Sequence, residues 1–344
     1  MALSQHALTA CLVRLGIMFR ELDLGHDLTL VVSVAGGRVF GPFLNGLDAL
    51  GWSLDEPGFE AALLAGDWNI GGERVWLAPE RHFNFTDPAQ MLETYRVAPE
   101  LDPGVWNLAT EGDGVVFDAT PALPRTDQGA PIRLRIVRHI RPLNRSEYPA
   151  LPQGVIAGGY RQTLEVTQPQ SAEGLAIVPW LIRQVALGGE AILSASGRAP
   201  GECVFGMPPH AAITPQSAAW RVPFGPRGFF KTSYTRHSIA SGGLSYLIVH
   251  EGQATAVIMR PHLAAPDCYP ETLPHNATSQ GHAAALFRDD GRFGRYGELE
   301  LYGHTDGRAR GTLVCDTLIL MGGEPAVRAA IDGQATEISS ISIS

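Results

Sequence analysis

The chain has 344 residues, of which 45% are hydrophobic and 18% charged, with 39 glycines and 25 prolines. This composition supplies a sizeable core, and its many turn-forming residues favour strands joined by loops over a helical bundle. The formal net charge is −9. This charge argues against a nucleic-acid partner, because duplex binding depends on basic residues that neutralise phosphates. We therefore expect a neutral ligand, or a small anion held by a few arginines.

The cysteines are widely spaced, and none forms the CxxC pair of zinc sites and thioredoxin-like redox motifs. We expect four reduced thiols in a cytoplasmic protein: Cys11, Cys203, Cys268 and Cys315. No uncharged apolar run reaches the roughly 18 residues of a membrane span, and the N-terminus lacks the layout of a secretory signal. We predict no membrane partner, and the pattern leaves the oligomeric state open.

The first third of the chain begins with apolar residues at helical spacing, which predict an amphipathic helix over residues 1–22 packed on the body. These apolar residues are Leu8, Leu12, Leu15, Phe19 and Leu22. The segments LTLVVSVAGG (28–37) and RVFGPF (38–43) then predict two strands joined by a tight turn. Asp55 and Gly66 flank a short helix, as capping residues do.

The middle of the chain is a series of strand candidates separated by Pro, Gly, Ser and Asn clusters. They are VVFDA, IRLRIVRHI, YRQTLEVTQ, EAILSA and CVFGM. In IRLRI, isoleucine and leucine alternate with Arg133 and Arg135, as in a half-buried strand with a charged outer face. The segment GLAIVPWLIRQVAL is open between strand and helix, although Pro179 disfavours a continuous helix.

The last third predicts a hairpin, further strands and a terminal helix. LSYLIVHEG and QATAVIMR form the hairpin, which turns at Glu251-Gly252. AALF, GELELY and TLVCDTLIL follow as strands, EPAVRAAIDG as a helix, and residues 335–344 as a frayed tail. Numerous strands without alternating long helices exclude a doubly wound fold, and no propeller-type repeat occurs. We predict one all-β domain over residues 1–344 with a few short helices.

Three segments resemble the galactose-mutarotase-like (aldose 1-epimerase-like) superfamily, and most closely its poorly characterised bacterial branches. They are VVSVAGGRVFGPFLNG (31–46), GGERVWLAPE (71–80) and GELELYGH (297–304), in the family's order and approximate spacing. The resemblance implies a large antiparallel β-supersandwich and a carbohydrate ligand. Active members of the family are aldose 1-epimerases and hexose-6-phosphate 1-epimerases, and related sandwiches occur in glycoside hydrolases and polysaccharide lyases.

Interconversion of sugar anomers needs a base for the C1 hydroxyl and an acid for the ring oxygen. Glu298 and Glu300 are two residues apart in a predicted strand, so both side chains lie on one face. The resemblance implies that one of them is the family's late-strand base. The alternative is a solvated outer face, where paired glutamates are ordinary.

His82 is the candidate acid. It begins His-Phe-Asn-Phe, which is similar to the His-x-Tyr-Phe-Asn-Leu of aldose epimerases. Those enzymes have this motif near the middle of the chain, whereas His82 lies in the first third. The alternative is a structural loop histidine.

Around His82 lie the candidate substrate-binding residues Arg74, Trp76, Glu80 and Arg81. Arginine suits sugar hydroxyls or a phosphate because its planar fork donates several hydrogen bonds at fixed geometry. The sequence is compatible with two roles for Trp76, stacking on a sugar ring or packing in the core. Three further tryptophans are predicted to be core residues: Trp68, Trp106 and Trp180.

A second set of candidate binding residues surrounds the late hairpin: His250, Arg260 and His262, with His237 and Glu251 near them. Their spacing matches no metal-ligand signature, so we predict no metal, and no cofactor. The leading hypothesis is a carbohydrate-binding protein with aldose 1-epimerase-like activity. The alternatives are a non-catalytic sugar-binding or sensing protein on the same fold, and a lyase-like or hydrolase-like carbohydrate enzyme.

Overall fold

The structure is a computed structural model. It describes residues 3–48, 50–127, 129–168, 175–195, 201–208, 212–214, 219–276, 278–279, 281–306 and 310–336. The α-helices of this part of the chain are α1 (Gln5–Arg14), α2 (Glu56–Ala65) and α3 (Glu324–Thr336). The strands are β1 (Phe19–Asp23), β2 (Leu28–Ser33), β3 (Arg38–Leu44), β4 (Leu47–Asp48), β5 (Glu73–Ala78), β6 (Asn107–Glu111), β7 (Gly114–Ala119), β8 (Ala122–Leu123), β9 (Ile132–Arg133), β10 (Arg135–Pro142), β11 (Ile156–Thr167), β12 (Val178–Ala186), β13 (Glu190–Ala195), β14 (Glu202–Phe205), β15 (Ala212–Thr214), β16 (Ala219–Pro223), β17 (Phe230–Thr235), β18 (Ile239–His250), β19 (Gln253–Pro261), β20 (His282–Arg288), β21 (Tyr296–Tyr302), β22 (His304–Thr305) and β23 (Arg310–Gly323).

Two large antiparallel sheets contain nearly all of these strands. The first, called the pocket sheet, has the order β1-β2-β3-β5-β12-β21-β20-β17-β14, with β4 beside β3. The second, called the back sheet, has the order β15-β16-β13-β18-β19-β23-β11-β10-β7-β6, with β22 beside β23. Short strands β8 and β9 pair with each other. The predicted all-β architecture of large antiparallel sheets is confirmed.

The main hydrophobic core lies between the two sheets. Val75, Leu181 and Leu299 from the pocket sheet belong to the same buried cluster as Ile136 and Ile319 from the back sheet. In β21, Leu299 and Leu301 belong to this cluster, whereas Glu298 and Glu300 do not, as the period of two predicted. Full burial of each such side chain stabilises the fold by about 1.5–3 kcal/mol.

The segment around Pro179, for which the sequence was compatible with either a strand or a helix, forms β12 in the middle of the pocket sheet. It pairs with β5 on one side and β21 on the other, and all its residues except Ala186 are buried. Burial on both faces explains its nearly continuous apolar sequence. The predicted hairpin is also present, since β18 pairs with β19 across a turn in which Glu251 and Gly252 have φ of 49° and 76°.

Helix α1 is shorter than the predicted helix over residues 1–22. It begins after Ser4, whose side chain accepts a hydrogen bond from the Ala7 N–H at 3.2 Å. It ends before Gly16, whose φ of 65° is a left-handed conformation that favours glycine. The chain then enters β1, so Phe19 and Leu22 are strand residues.

Helices α1 and α2 pack together at one end of the pocket sheet, where Leu12 and Phe59 share a buried cluster with Phe40. Helix α2 has the predicted caps, Asp55 at its start and Gly66 at its end. Helix α3 covers part of the outer face of the back sheet, and residues 337–344 of the predicted tail lie outside the described residues.

No helix in the described part of the chain combines the length and the apolar character needed to cross a bilayer. The cysteines are free thiols, of which Cys11 and Cys315 are buried and Cys203 is exposed.

A buried group of polar side chains joins the two sheets and is called the inter-sheet network. Oε1 of Glu73 accepts hydrogen bonds from Arg138 and from Gln162 Nε2 at 3.2 Å. Oε2 accepts from Tyr160 Oη at 3.0 Å and Arg183 Nη1 at 3.1 Å. Both carboxylate oxygens therefore have two donors, as a buried charge requires.

Candidate functional site

The other face of the pocket sheet forms the candidate site. In the strand register, Glu298 of β21 lies opposite Gln184 of β12 and Phe287 of β20. Glu300, two residues further along, lies opposite Ile182 of β12. Because residues two apart share a face of a strand, both glutamates face away from the inter-sheet core and line one pocket.

The pocket has aromatic walls and a cavity volume of about 50 Å³. Six of its lining residues are Trp68, Trp76, Tyr95, Trp180, Phe293 and Tyr296. The charged side chains Arg74, Glu80, Lys231, Glu298 and Glu300 lie among them. A mostly apolar lining with a few convergent polar groups is typical of a small-molecule site.

Glu298 forms the first ion pair of the pocket. Its Oε1 accepts a hydrogen bond from Arg74 Nη2 at 2.7 Å and another from Gln184 Nε2 at 3.2 Å. The Arg74 guanidinium lies over the rings of Trp76, at 4.1 Å, and Trp68, at 5.2 Å. Burial raises the pKa of Glu298 to about 7, against the lowering effect of Arg74. This carboxyl group therefore changes protonation state near neutral pH.

Glu300 belongs to a second charged group centred on Lys231. Lys231 Nζ lies 3.1 Å from Glu300 Oε2 and 3.0 Å from Glu80 Oε2, and 4.4 Å from the centre of the Trp180 ring. Oε2 of Glu300 also accepts from Trp180 Nε1 and Tyr302 Oη, both at 3.0 Å. Its Oε1 is buried and has no hydrogen-bond partner among the described residues.

Glu80 connects the pocket to a further carboxyl group behind it. The Glu80 N–H donates to Glu271 Oε2 at 2.8 Å. Burial raises the pKa of Glu80, with Lys231 opposing, and burial together with Glu80 raises the pKa of Glu271 to about 7. The site thus contains three carboxyl groups that hold protons at higher pH than in water.

A short turn between β20 and β21, residues 289–295, carries Phe293 and is called the Phe293 loop. The buried Asp289 carboxylate accepts hydrogen bonds from the backbone N–H groups of residues 291–295 at 2.9–3.2 Å. Asn69 Nδ2 donates to the Phe293 carbonyl at 2.5 Å, and Asn69 Oδ1 accepts from Gln184 Nε2 at 3.0 Å. Since Gln184 also binds Glu298, this loop and the carboxylate are held by one chain of hydrogen bonds.

The structure brings together five of the predicted site residues: Arg74, Trp76, Glu80, Glu298 and Glu300. Arg81 and His82 follow Glu80 in a single 3-10 turn and do not line the pocket. Arg81 Nη1 donates to Thr272 Oγ1 at 2.5 Å. Burial and the nearby Arg81 and Arg125 lower the pKa of His82 to about 4, so its imidazole is neutral at pH 7.

The second predicted set lies on the back sheet, away from the pocket. His250 is exposed at the turn end of the hairpin, whereas Arg260 and His262 line a separate depression with Asp316. Within the part of the chain that the structure describes, no three His, Cys, Asp or Glu side chains cluster as metal ligands do.

Lys231 and Gln184 are site residues that the sequence reasoning missed. Trp180 belongs to the main buried cluster and Trp68 packs against it, as predicted for core residues, and both also line the pocket. All four lie at or beside the pocket. A lysine within the strand FKTSYT was the one local signal, since a central strand rarely buries a lysine without a partner. Trp106 is buried against Phe117, as predicted for a core residue.

The sequence matches no family model, and it has no match among curated proteins. Several solved structures align with most of this chain. A galactose mutarotase related enzyme from Lactobacillus acidophilus is 9% identical with a TM-score of 0.43, covering 90% of this chain and 98% of that one. A GalM/aldose epimerase homologue from C. elegans is 12% identical with a TM-score of 0.45, covering 89% and 99%. A galactose 1-epimerase from Lactobacillus acidophilus NCFM is 10% identical with a TM-score of 0.45, covering 89% and 95%.

Proposed function

We propose that the pocket binds a monosaccharide, or a sugar derivative of similar size, and catalyses the interconversion of its anomers. The observation that carries this proposal is the pair of carboxylates, Glu298 and Glu300, that one strand presents to a small aromatic pocket. The flat aromatic walls suit the apolar faces of a pyranose ring, and the charged groups suit its hydroxyls. The sequence motifs that resemble the mutarotase-like superfamily indicate the same chemistry.

Anomer interconversion moves two protons. A base removes the proton of the C1 hydroxyl while an acid protonates the ring oxygen, the C1–O bond of the ring opens, and the ring closes again after rotation about C1–C2. No electrons are gained or lost, so the reaction balances without an oxidant. Groups that titrate near the working pH are the most effective in both roles.

We assign the base role to Glu298, because its pKa of about 7 and its fixed position beside Arg74 suit reversible proton transfer. Glu80, whose pKa is also raised, is the proton donor in this scheme, in place of His82. Glu300 Oε1 accepts a hydrogen bond from a sugar hydroxyl. Arg74 orients Glu298 and the substrate.

The test is the decay of optical rotation of freshly dissolved α-glucose or α-galactose, with and without protein. Glu298→Gln is expected to lower the catalysed rate by about 10²–10⁴-fold, the usual contribution of a positioned proton-transfer group. Glu300→Gln should weaken substrate binding more than it slows turnover. Glu21→Gln, an exposed strand residue outside the pocket, is the matched control. Equal catalysed rates in wild type and Glu298→Gln would contradict the assignment.

A second candidate function is non-catalytic sugar binding or sensing. It is favoured by one observation, that both glutamates are already paired with cations, Glu298 with Arg74 and Glu300 with Lys231. A binding protein shows ligand-induced thermal stabilisation without turnover. Unsaturated products that absorb in the ultraviolet would instead indicate a lyase.

A further inference from the structure

The outer face of the back sheet carries a row of charged residues that the proposed sugar chemistry does not use. The register of four neighbouring strands places Arg141, Arg161, Asp316 and Arg260 side by side. Arg141 is paired with Glu147, and Arg161 binds Asp316 through two hydrogen bonds of 2.6 and 2.8 Å. The first three members of the row are therefore charge-compensated. Arg260, the fourth member, has no such partner among the described residues.

Arg260 is half-buried, and no hydrogen bond or ion pair joins it to the described residues. With Arg236 and His262 it lines one open depression, called the Arg260 groove. Arg236 donates to two backbone carbonyls, those of Ala264 at 2.8 Å and Ile239 at 3.1 Å. Neither guanidinium meets a carboxylate within the described part of the chain.

The acidic side chain of Asp316 also lines this groove, but its negative charge is already compensated by a neighbouring cationic group. Arg161 binds both of its oxygens, and His262 Nε2 lies 3.4 Å from Oδ2. Two uncompensated guanidinium groups in one depression create a local positive potential on a chain whose formal net charge is −9. Such a potential attracts small anions, which then accept charge-assisted hydrogen bonds from the guanidinium groups.

We propose that the Arg260 groove is a second ligand site, which binds the oxyanion of a small molecule through Arg260 and Arg236. The shared chemistry is that of a phosphoryl or a carboxylate group. The planar guanidinium fork donates two parallel N–H bonds to either group, and Ser241, at the edge of the groove, supplies a hydroxyl. This site lies on the opposite sheet from the pocket, so it does not depend on the proposed sugar reaction.

The experiment is isothermal titration of the full-length protein with inorganic phosphate and, separately, with acetate, at constant ionic strength set by chloride. We expect saturable binding of at least one anion. Arg260→Gln should weaken that binding about tenfold or more, the usual effect of losing a charge-assisted hydrogen bond. Arg20→Gln is the matched control, because Arg20 is exposed on β1 and, among the described residues, its side chain bonds only its neighbour's carbonyl.

Binding of phosphate alone identifies a phosphoryl ligand, and binding of acetate alone identifies a carboxylate. Arg260→Gln is expected to fold, because Arg260 holds no other described residue, and its circular dichroism spectrum should match that of the wild type. Arg236→Gln is the second variant and should lose affinity as well. Absence of saturable binding for both anions, or unchanged affinity in both variants, overturns the proposal.

Discussion

Both faces of the pocket sheet carry buried carboxylates, but these differ in how many hydrogen-bond donors reach their oxygens. On the core side, Glu73 has two hydrogen-bond donors on each oxygen. On the pocket side, Glu300 has three donors on one oxygen and none of the described donors on the other. The adjacent residues Glu73 and Arg74, on one strand, thus belong to two different networks. Both carboxylate oxygens of Glu73 have donors, whereas Nε and Nη1 of Arg74 have no partner among the described residues.

Under the proposed function, this difference separates a structural charge from a functional one. A fully satisfied network stabilises one arrangement of the two sheets and has no capacity for a ligand. An unsatisfied acceptor in a buried site carries a desolvation cost of about 1–3 kcal/mol until a partner reaches it. The pocket carboxylates are therefore prepared for an incoming hydroxyl, and Glu73 is not.

The largest effect is expected for Glu73→Ala. This change leaves Arg138 and Arg183 buried without their carboxylate, and breaking a buried pair costs about 3–5 kcal/mol. Denaturant unfolding followed by circular dichroism measures the loss. The control is Glu60→Gln, which removes an exposed partner of Arg14 and should cost about 1 kcal/mol or less. Similar losses in the two variants would remove the distinction between the faces.

Lys231→Met should have the next largest effect, and the effect should depend on pH. Burial and Glu300 raise the pKa of Glu80, and Lys231 opposes them. Without the ammonium group that opposition is lost, so the pKa of Glu80 rises further. A raised folded-state pKa gives stability that is present at low pH and is lost as pH rises through it. We expect a loss of about 1–3 kcal/mol at pH 8 and a smaller one at pH 5, measured by thermal unfolding. A larger loss at pH 5 would contradict this.

The wild type should itself lose stability as pH rises. Burial raises the pKa of Glu271 and Glu298 from 4.5 to about 7, so their contribution is complete below about pH 4.5, declines as pH rises above 4.5, and is lost once pH has passed through about 7. Each contributes on the order of 1–3 kcal/mol, at about 1.4 kcal/mol per pKa unit. Glu271→Gln should flatten the profile of unfolding free energy between pH 5 and 8, whereas Glu21→Gln should leave it unchanged.

Phe293→Ala should have the smallest effect on stability, about 1 kcal/mol, because the side chain is only half-buried. The ring lines the pocket, so its removal should weaken sugar binding several-fold while the catalysed rate at saturation changes little. Calorimetry and optical rotation measure the two quantities. A fall in the saturated rate with unchanged binding would place Phe293 in the chemistry rather than in the wall.

The sequence was sufficient to predict which residues of a single strand share a face. The two-residue spacing of Glu298 and Glu300 predicted a shared face, and the alternation in IRLRI predicted exposed arginines. The same pattern could not predict that Arg138, further along that run, is buried, because its partner Glu73 comes from the other sheet.

Relations between distant strands could not be predicted in the same way. Lys231 lies 151 residues after Glu80 in the chain, and only the strand order places them 3.0 Å apart. His82 was predicted from a local motif, but a single tight turn after Glu80 takes it out of the pocket. Register and turn direction depend on packing between remote segments, and a local pattern contains neither.

The Phe293 loop has a consequence for the ligand preference of the pocket. Asp289 holds this turn through main-chain nitrogens, and these contacts do not involve the side chain of Phe293. The backbone is thus a constant frame, and position 293 can change in size or polarity without moving it. Protein engineering can therefore change the ligand preference of the proposed site by exchanging one ring, while Glu298 and Glu300 keep their positions on the neighbouring strand.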